Sequence, residues 1–319
     1  MNSIKAIEQY RARQVGFLGR LTENTLRGMA WRKALMGYLF ILPTIAGILI
    51  FTAGPVLVSL GLSLYQWNVI QPAEFIGLEN YWRFYNDAQA LASFWNTVKF
   101  VVLAVSLDLV LGLLLALAVE QKMPRGLRYY FRSAFFLPVL ISAASISIVL
   151  AYMFQKEFGP INYYLGFLGI ARIPWLTSSD WVLITVVLSY VWQHVGFTFI
   201  LFIGGLSNIP REILEAADVD GSQGWRRVWD IILPLLSPTM MFAAVVGVIS
   251  ALQVFEHPFV LTRGGPGDAS RTAVMIIYQS AFKNLEIGYG STSAVFLFVV
   301  ILLATAVQFW LSKRWVFYQ

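Results

Sequence analysis

The chain has 319 residues, of which 58% are hydrophobic and only 13% charged, with a mean hydropathy of +0.68. Soluble domains carry roughly 25% charged residues, so this composition belongs to an integral membrane protein. The absence of cysteine excludes disulfides, thiol catalysis and cysteine metal sites, and two histidines, His194 and His257, argue against a histidine-rich metal centre.

In chain order, residues 1–34 form a basic segment with irregularly spaced apolar residues, Ile4, Ile7, Val15, Phe17, Leu18 and Leu21. It has no apolar core followed by a small-residue cleavage site before the first span, so it does not read as a removable signal peptide. A helix lying on the inner leaflet and a disordered basic leader both fit it. Six stretches are then long and apolar enough to cross a bilayer, which takes about 20 residues. They are Leu35 to Leu64, Phe100 to Val119, Ser133 to Phe154, Trp181 to Leu206, Leu235 to Val260 and Tyr289 to Leu311. Pro43 and Pro55 are expected to kink the first or to split off an interfacial turn. Between the first two spans, Trp67, Phe75, Tyr81, Trp82, Phe84 and Tyr85 give an aromatic density suited to a membrane interface or a docking surface.

Lys and Arg set the orientation. Sixteen fall on one side, in the leader, at residues 122–132, at Arg211, Arg226 and Arg227, and at Lys313 and Arg314. Six fall on the other, with Lys99 at a span edge. Both termini are therefore expected in the cytoplasm, and the net charge of +6 follows from basic residues facing anionic lipid, with no nucleic-acid partner required.

Between the fourth and fifth spans, the loop 207–236 contains EAADVDGSQGWRRVWDIILP from Glu215 to Pro234, too charged to lie in hydrocarbon. Pro210 and Gly221 bracket a predicted helix, and a second short helix is expected from Ser222 to Ile232. Ala216 and Ala217 offer a small-residue surface, and Glu215, Asp218 and Asp220 charged contacts, to a protein partner; a merely solvated loop is the plainer alternative. No GxxxxGK[ST] occurs in the chain, and TRGGP at Thr262 to Pro266 lacks its lysine, so uphill transport would need a separate engine.

Glu215, Ala216, Ala217, Gly221, Ile231, Leu233 and Pro234 fit the E-A-A-x3-G-x9-I-x-L-P signature of permease subunits in binding-protein-dependent ABC importers. The chain also resembles the maltose-permease-like first subunit of the carbohydrate-uptake branch in FILPTIAGILIFTAGPVLVSLGLSLYQWN from Phe40, FIGLENYWRF from Phe75, RSAFFLPVLIS from Arg132, FGPINYYLGFLG from Phe158 and FVLTRGGPGDAS from Phe259. Arg263 departs from the small or polar residue usual before those glycines, which bears on the external gate.

That resemblance covers residues 35–315. It implies an all-α membrane protein with the type I ABC importer permease fold and six transmembrane helices, in a bacterial inner membrane. It also implies a second homologous permease, two ATPase subunits and a periplasmic or extracellular solute-binding protein. On this reading the chain is not itself an enzyme and holds no cofactor, ATP and Mg residing on the ATPase subunits. The helix from Arg211 to Asp220 becomes the coupling helix, with Glu215, Ala216, Ala217, Asp218, Gly221, Ile231, Leu233 and Pro234 forming the coupling element. The implied cargo is an oligosaccharide or sugar derivative, with glycerol phosphate or another small polar solute as the alternative.

Polar groups inside spans face cavities or partner helices. Gln193, His194 and Phe197 in the fourth span and Gln253 and Glu256 in the fifth are the candidates for the substrate pathway, with interhelical bridging as their other reading. Asp108 is expected to pair with a neighbouring helix, and Ser142, Ser145 and Ser147 to permit close packing. An ion-coupled secondary transporter shares the spans but leaves the Glu215 loop unexplained and predicts an inverted repeat not evident here. A membrane enzyme lacks a nucleophile with its base, a carboxylate pair or a metal cluster.

Overall fold

The computed structural model describes residues 26–120 and 123–317, so the expected basic segment lies outside the described residues as far as Thr25. The chain forms two compact units, one ending at Ser59 and one beginning at Leu60.

Among the described residues, an apolar helical run makes up the first unit and continues to Leu62. Helix α1 (Leu26–Ile48), a π turn (Leu49–Ala53) and α2 (Gly54–Leu62) run together, and Ala30–Leu62 is long and apolar enough to cross a membrane. Pro43 sits inside α1 without ending it. At Pro55 the missing N–H and the ring would clash with the helix four residues back, and the wider π turn immediately upstream absorbs both, closed by Gly54 N–H donating to Leu49 C=O. The expected split of this span is therefore replaced by a bulge.

The second unit opens with a short antiparallel ribbon, β1 (Tyr65–Gln66) and β2 (Glu74–Phe75), with Tyr65 opposite Phe75. Helix α3 (Glu79–Asn86) follows, then α4 (Ala88–Glu120), α5 (Arg125–Phe136), α6 (Ala143–Met153), α7 (Pro160–Phe167), α8 (Ser179–Ser207), α9 (Arg211–Val219), α10 (Gly224–Arg227), α11 (Leu233–Leu252), α12 (Glu256–Thr262), α13 (Ala273–Tyr278) and α14 (Ile287–Trp315). Part of the aromatic segment after the first span is packed rather than free. Phe84 stacks on Phe296 of α14 at 4.0 Å, buried Asn80 donates to the carbonyls of Ser63 and Tyr65, and Arg83 pairs with Glu286 at 2.9 Å.

Helix α4 lies along α8 in the longest seam of this unit. Gly112 makes the approach possible, since a Cβ there would stand 2.7 Å from Thr198 Cγ2. Within the seam, Thr198 donates to Asp108 at 2.5 Å, so the one carboxylate of the second span does pair with a neighbouring helix. Its other oxygen is buried without a protein partner. Gly196 lets α8 cross α5 directly, because a Cβ would collide with the Phe135 carbonyl.

Two expected spans take a different form. The third, Ser133 to Phe154, is no straight helix: α5 with a 3-10 turn (Leu137–Leu140) meets α6 at 101°. Pro138 withdraws a donor, and Ile141 and Ser142 adopt extended backbone, so the chain turns before re-entering a helix. The fifth span also shifts. It starts within the loop, as Gly224–Leu252, and stops at Gln253, after which α12 forms a separate helix holding Pro258 in its first turn. Among the described residues, five helices are long and apolar enough to cross a membrane, or six if the bent pair counts as one span.

Candidate functional site

Two regions gather the residues that the sequence marks out: the charged loop between α8 and α11, and a polar centre where α6, α8 and α12 meet.

In the loop, α9 begins after Pro210 and carries Glu212 in its first turn, where a carboxylate suits the positive end of a helix. It ends in a Schellman closure, with Ser222 N–H donating to Ala217 C=O and Gly221 N–H to Asp218 C=O. Gly221 has φ +75° and open space around its missing Cβ, so its requirement is backbone conformation, not room. Glu215 and Ala216 face outward, while Ala217 is buried, leaving Ala216 alone of the alanine pair as accessible surface. Asp218 is held by Arg227 at 2.6 Å, which ties α9 to α10. The pair clamps the two arms of the loop.

The expected separate helix from Ser222 to Ile232 is not separate. Helix α10 passes through a π turn (Val228–Ile232) into α11, and the turn again stands just ahead of a proline, Pro234, with Leu233 N–H donating to Val228 C=O. Ile231 and Leu233 are half-buried and Pro234 exposed along this rod. Behind α9, a cleft lined by Leu117, Glu120, Leu206, Leu214, Trp225 and Arg227 separates it from the ends of α4 and α8.

At the polar centre a directional chain of hydrogen bonds crosses three elements. Gln193 Nε2 donates to the Ile141 carbonyl at 2.6 Å, the carbonyl that the bend leaves outside a helical ladder. This turns Gln193 Oε1 toward His257 Nε2 at 2.8 Å, which must then carry the proton. The other ring nitrogen, Nδ1, lies 2.9 Å from Ser147 Oγ, whose hydroxyl donates to the Ala143 carbonyl at 2.6 Å. Gln193, His257 and Ser147 are at most 4% exposed.

Of the five pathway candidates, Gln193 is thus engaged inside the chain on both ends of its amide. His194 stacks on Tyr190 at 3.9 Å, its Nδ1 on the Tyr190 carbonyl, at the edge of the centre 6.2 Å from the His257 ring. Phe197, Gln253 and Glu256 are exposed. The structure therefore joins Gln193 to His257, brings His194 beside them, and places the other three on accessible surface. Ser147 was legible only as a packing serine, and its partnership with a residue 110 positions away left no local signal. Among the described residues, no group of three or more His, Asp and Glu side chains is placed to share a metal ion.

The loop after α12 is tethered to α4. Gln89 and Arg271 bond the Asp268 carboxylate at 2.8 and 2.6 Å. Burial alone would raise the Asp268 pKa, but these bonds and the Arg271 charge outweigh it and hold the group below the ordinary carboxylate range.

Apolar spans, a sharply bent helix pair and a clamped charged loop define a multi-pass membrane protein. The model of the family "binding-protein-dependent transport system inner membrane component" matches residues 108–316, and the chain belongs to that family. It is 36% identical over 236 residues to a sulfoquinovosyl glycerol transport permease of Agrobacterium fabrum, covering 74% of this chain and 76% of that one. It is 32% identical to an sn-glycerol-3-phosphate transport permease of the same organism, covering 92% of this chain and 100% of that one. A trehalose/maltose transport permease of Thermococcus litoralis is 32% identical, with coverage of 90% and 97%. In fold, the chain is similar to a subunit of a bacterial ABC transporter that imports alginate, with a TM-score of 0.77 at 24% identity, covering 89% of this chain and 96% of that one. The fold is that of a type I ABC importer permease.

Proposed function

We propose that this chain lines the pathway by which an oligosaccharide or sugar derivative enters the cytoplasm, driven by ATP that partner subunits hydrolyse. The observation that carries the reading is the loop: a short helix with a glycine closure, salt-bridged to the start of a span, on a chain of this permease family. Two ATPase subunits carrying ATP and Mg would bear on α9, a second homologous permease would complete the pathway, and an external binding protein would deliver the cargo. The sugar assignment draws on relatives named for sulfoquinovosyl glycerol and for trehalose and maltose. Glycerol phosphate is the second reading, supported by a relative matched over its full length.

For such coupling, the ATPases must contact the α9 surface differently in their open and closed states, since only differential binding shifts a conformational equilibrium. Both termini lie in the cytoplasm on this reading, as does α9, because sixteen of the basic residues fall on that side.

The decisive experiment purifies the tagged chain from its native membrane in mild detergent and identifies stoichiometric partners. A second permease and an ATPase are expected. A chain that purifies alone and still moves solute in ATP-free vesicles would overturn the reading in favour of a secondary transporter.

A further inference from the structure

The cleft behind α9 has a wall and a mouth of unlike chemistry. Leu117, Leu206, Ile209, Leu214, Val228 and Ile232 make the wall, while Glu120 and Arg227 stand in the lining beside Trp225. Its volume of about 640 Å³ falls within the roughly 300–1,000 Å³ of clefts that hold small organic ligands. It also lies where spans end. Helix α4 stops at Glu120 and α8 at Ser207, and in the segments that follow them Tyr129, Tyr130, Trp225 and Trp229 are all exposed. Tyrosine and tryptophan gather at the depth of lipid headgroups.

The mouth is basic. Arg125, Arg128 and Arg132 recur at i, i+3 and i+7, so they share one face of α5. Arg132 pairs with Glu120 at 2.5 Å and Arg128 approaches it at 4.0 Å, with all three side chains partly exposed. Arg227 is matched by Asp218, and Arg125 is exposed with no ion pair among the described residues. Four guanidinium groups against two carboxylates leave a local excess of two positive charges. A soluble anion would leave the apolar wall uncovered, and a neutral lipid would leave that excess unmatched. A phospholipid with a negative headgroup satisfies both, its acyl chain along the wall and its phosphate at the arginines.

We propose that this cleft is a binding site for one anionic phospholipid, held by the α5 arginines and the apolar wall between α9 and the ends of α4 and α8. The lipid fills the space on which α9 rests, so the seating of the loop depends on the charge of the surrounding bilayer. The site is independent of what the chain transports.

The test uses the chain as purified in mild detergent, with whatever subunits accompany it, in mixed micelles with phosphatidylcholine. The probes are phosphatidylglycerol and phosphatidylcholine brominated on the acyl chains, since bromine quenches an indole only at contact. Subtracting the response of Trp225→Phe isolates the cleft from the other tryptophans, eleven in all. Phosphatidylglycerol is expected to quench the Trp225 signal at a lower mole fraction than phosphatidylcholine, and the preference should shrink as salt is raised. Arg125→Gln, which breaks no ion pair, should weaken that quenching about fivefold. Leu117→Phe, which adds bulk to the wall without changing charge, should reduce it for both lipids. Equal quenching by the two lipids, or none that depends on Trp225, would overturn the proposal. Displacement of the bound lipid by inorganic phosphate at constant ionic strength would overturn it as well, by assigning the arginines to a soluble anion. Should Trp225→Phe fail to assemble, phosphatidylglycerol retained through detergent washing and counted by mass spectrometry carries the same comparison. A native count no higher than that of phosphatidylcholine, or one unchanged in Arg125→Gln, then overturns the site.

Discussion

Gly221 shows how one backbone angle can fix the end of a helix. At φ +75° a β-branched side chain is strained whatever the space, and the Schellman closure depends on that angle. Gly221→Val should therefore open the turn and release α9 from its alignment with Arg227, leaving ATP hydrolysis in the assembled complex but abolishing most uptake. Parallel ATPase and uptake measurements in proteoliposomes check this, and normal uptake would count against the role given to the turn. The Gln193–His257 bond makes a second prediction at this scale. His257→Leu leaves the buried Gln193 amide oxygen without its partner, at a cost of about 1–3 kcal/mol. Adding Gln193→Leu removes the orphaned oxygen, so the double variant should be more stable than the sum of the single losses predicts, by about 0.5–3 kcal/mol. Thermal unfolding of the four purified forms reads the difference, and strict additivity would show that the two side chains act independently.

Among the elements, the spans were legible and their interruptions were not. Hydropathy located every apolar stretch, because about 20 apolar residues in sequence is itself the physical requirement for crossing. The bend at Ile141 and Ser142 is different in kind. It persists because Gln193, 52 positions away, takes up the carbonyl that the bend exposes, and no window on the sequence contains both residues. The break at Gln253 carried a local sign in Glu256 and Pro258, but a continuous apolar reading ran over it. The first loop helix and its glycine closure were legible, since glycine and proline act through local backbone geometry, while the burial of Ala217 and the continuity of α10 with α11 through a π turn were not. Helix contact supplies a test of its own. Gly196→Ala places a methyl group on the Phe135 carbonyl, so α5 and α8 must part, at about 1–3 kcal/mol. Gly204→Ala, on the same helix with nothing within 4 Å, should be neutral or stabilising. Equal melting temperatures for the two variants would mean that this crossing is not a tight contact.

For the whole molecule, charge distribution makes the prediction. Sixteen basic residues on one side against six on the other predict that both termini and the α9 loop lie in the cytoplasm. A fluorescent-protein fusion that matures only in the cytoplasm should glow at either end, and a periplasm-dependent phosphatase fused there should stay inactive. Active phosphatase at one terminus would mean that an odd number of spans crosses the membrane, and that the bent pair α5–α6 enters and leaves by the same side.

The uninterrupted run from Gly224 to Leu252 has a mechanical consequence. Twenty-nine helical residues make a rod about 43 Å long, at 1.5 Å per residue. One end is clamped to α9 through Arg227 and Asp218, and the other stops at Gln253. Such a rod is a lever: a tilt of about 10° about its far end sweeps the near end through about 7 Å. The same stiffness that denies the loop its own second helix gives a push at one face of the bilayer a direct mechanical route to the other.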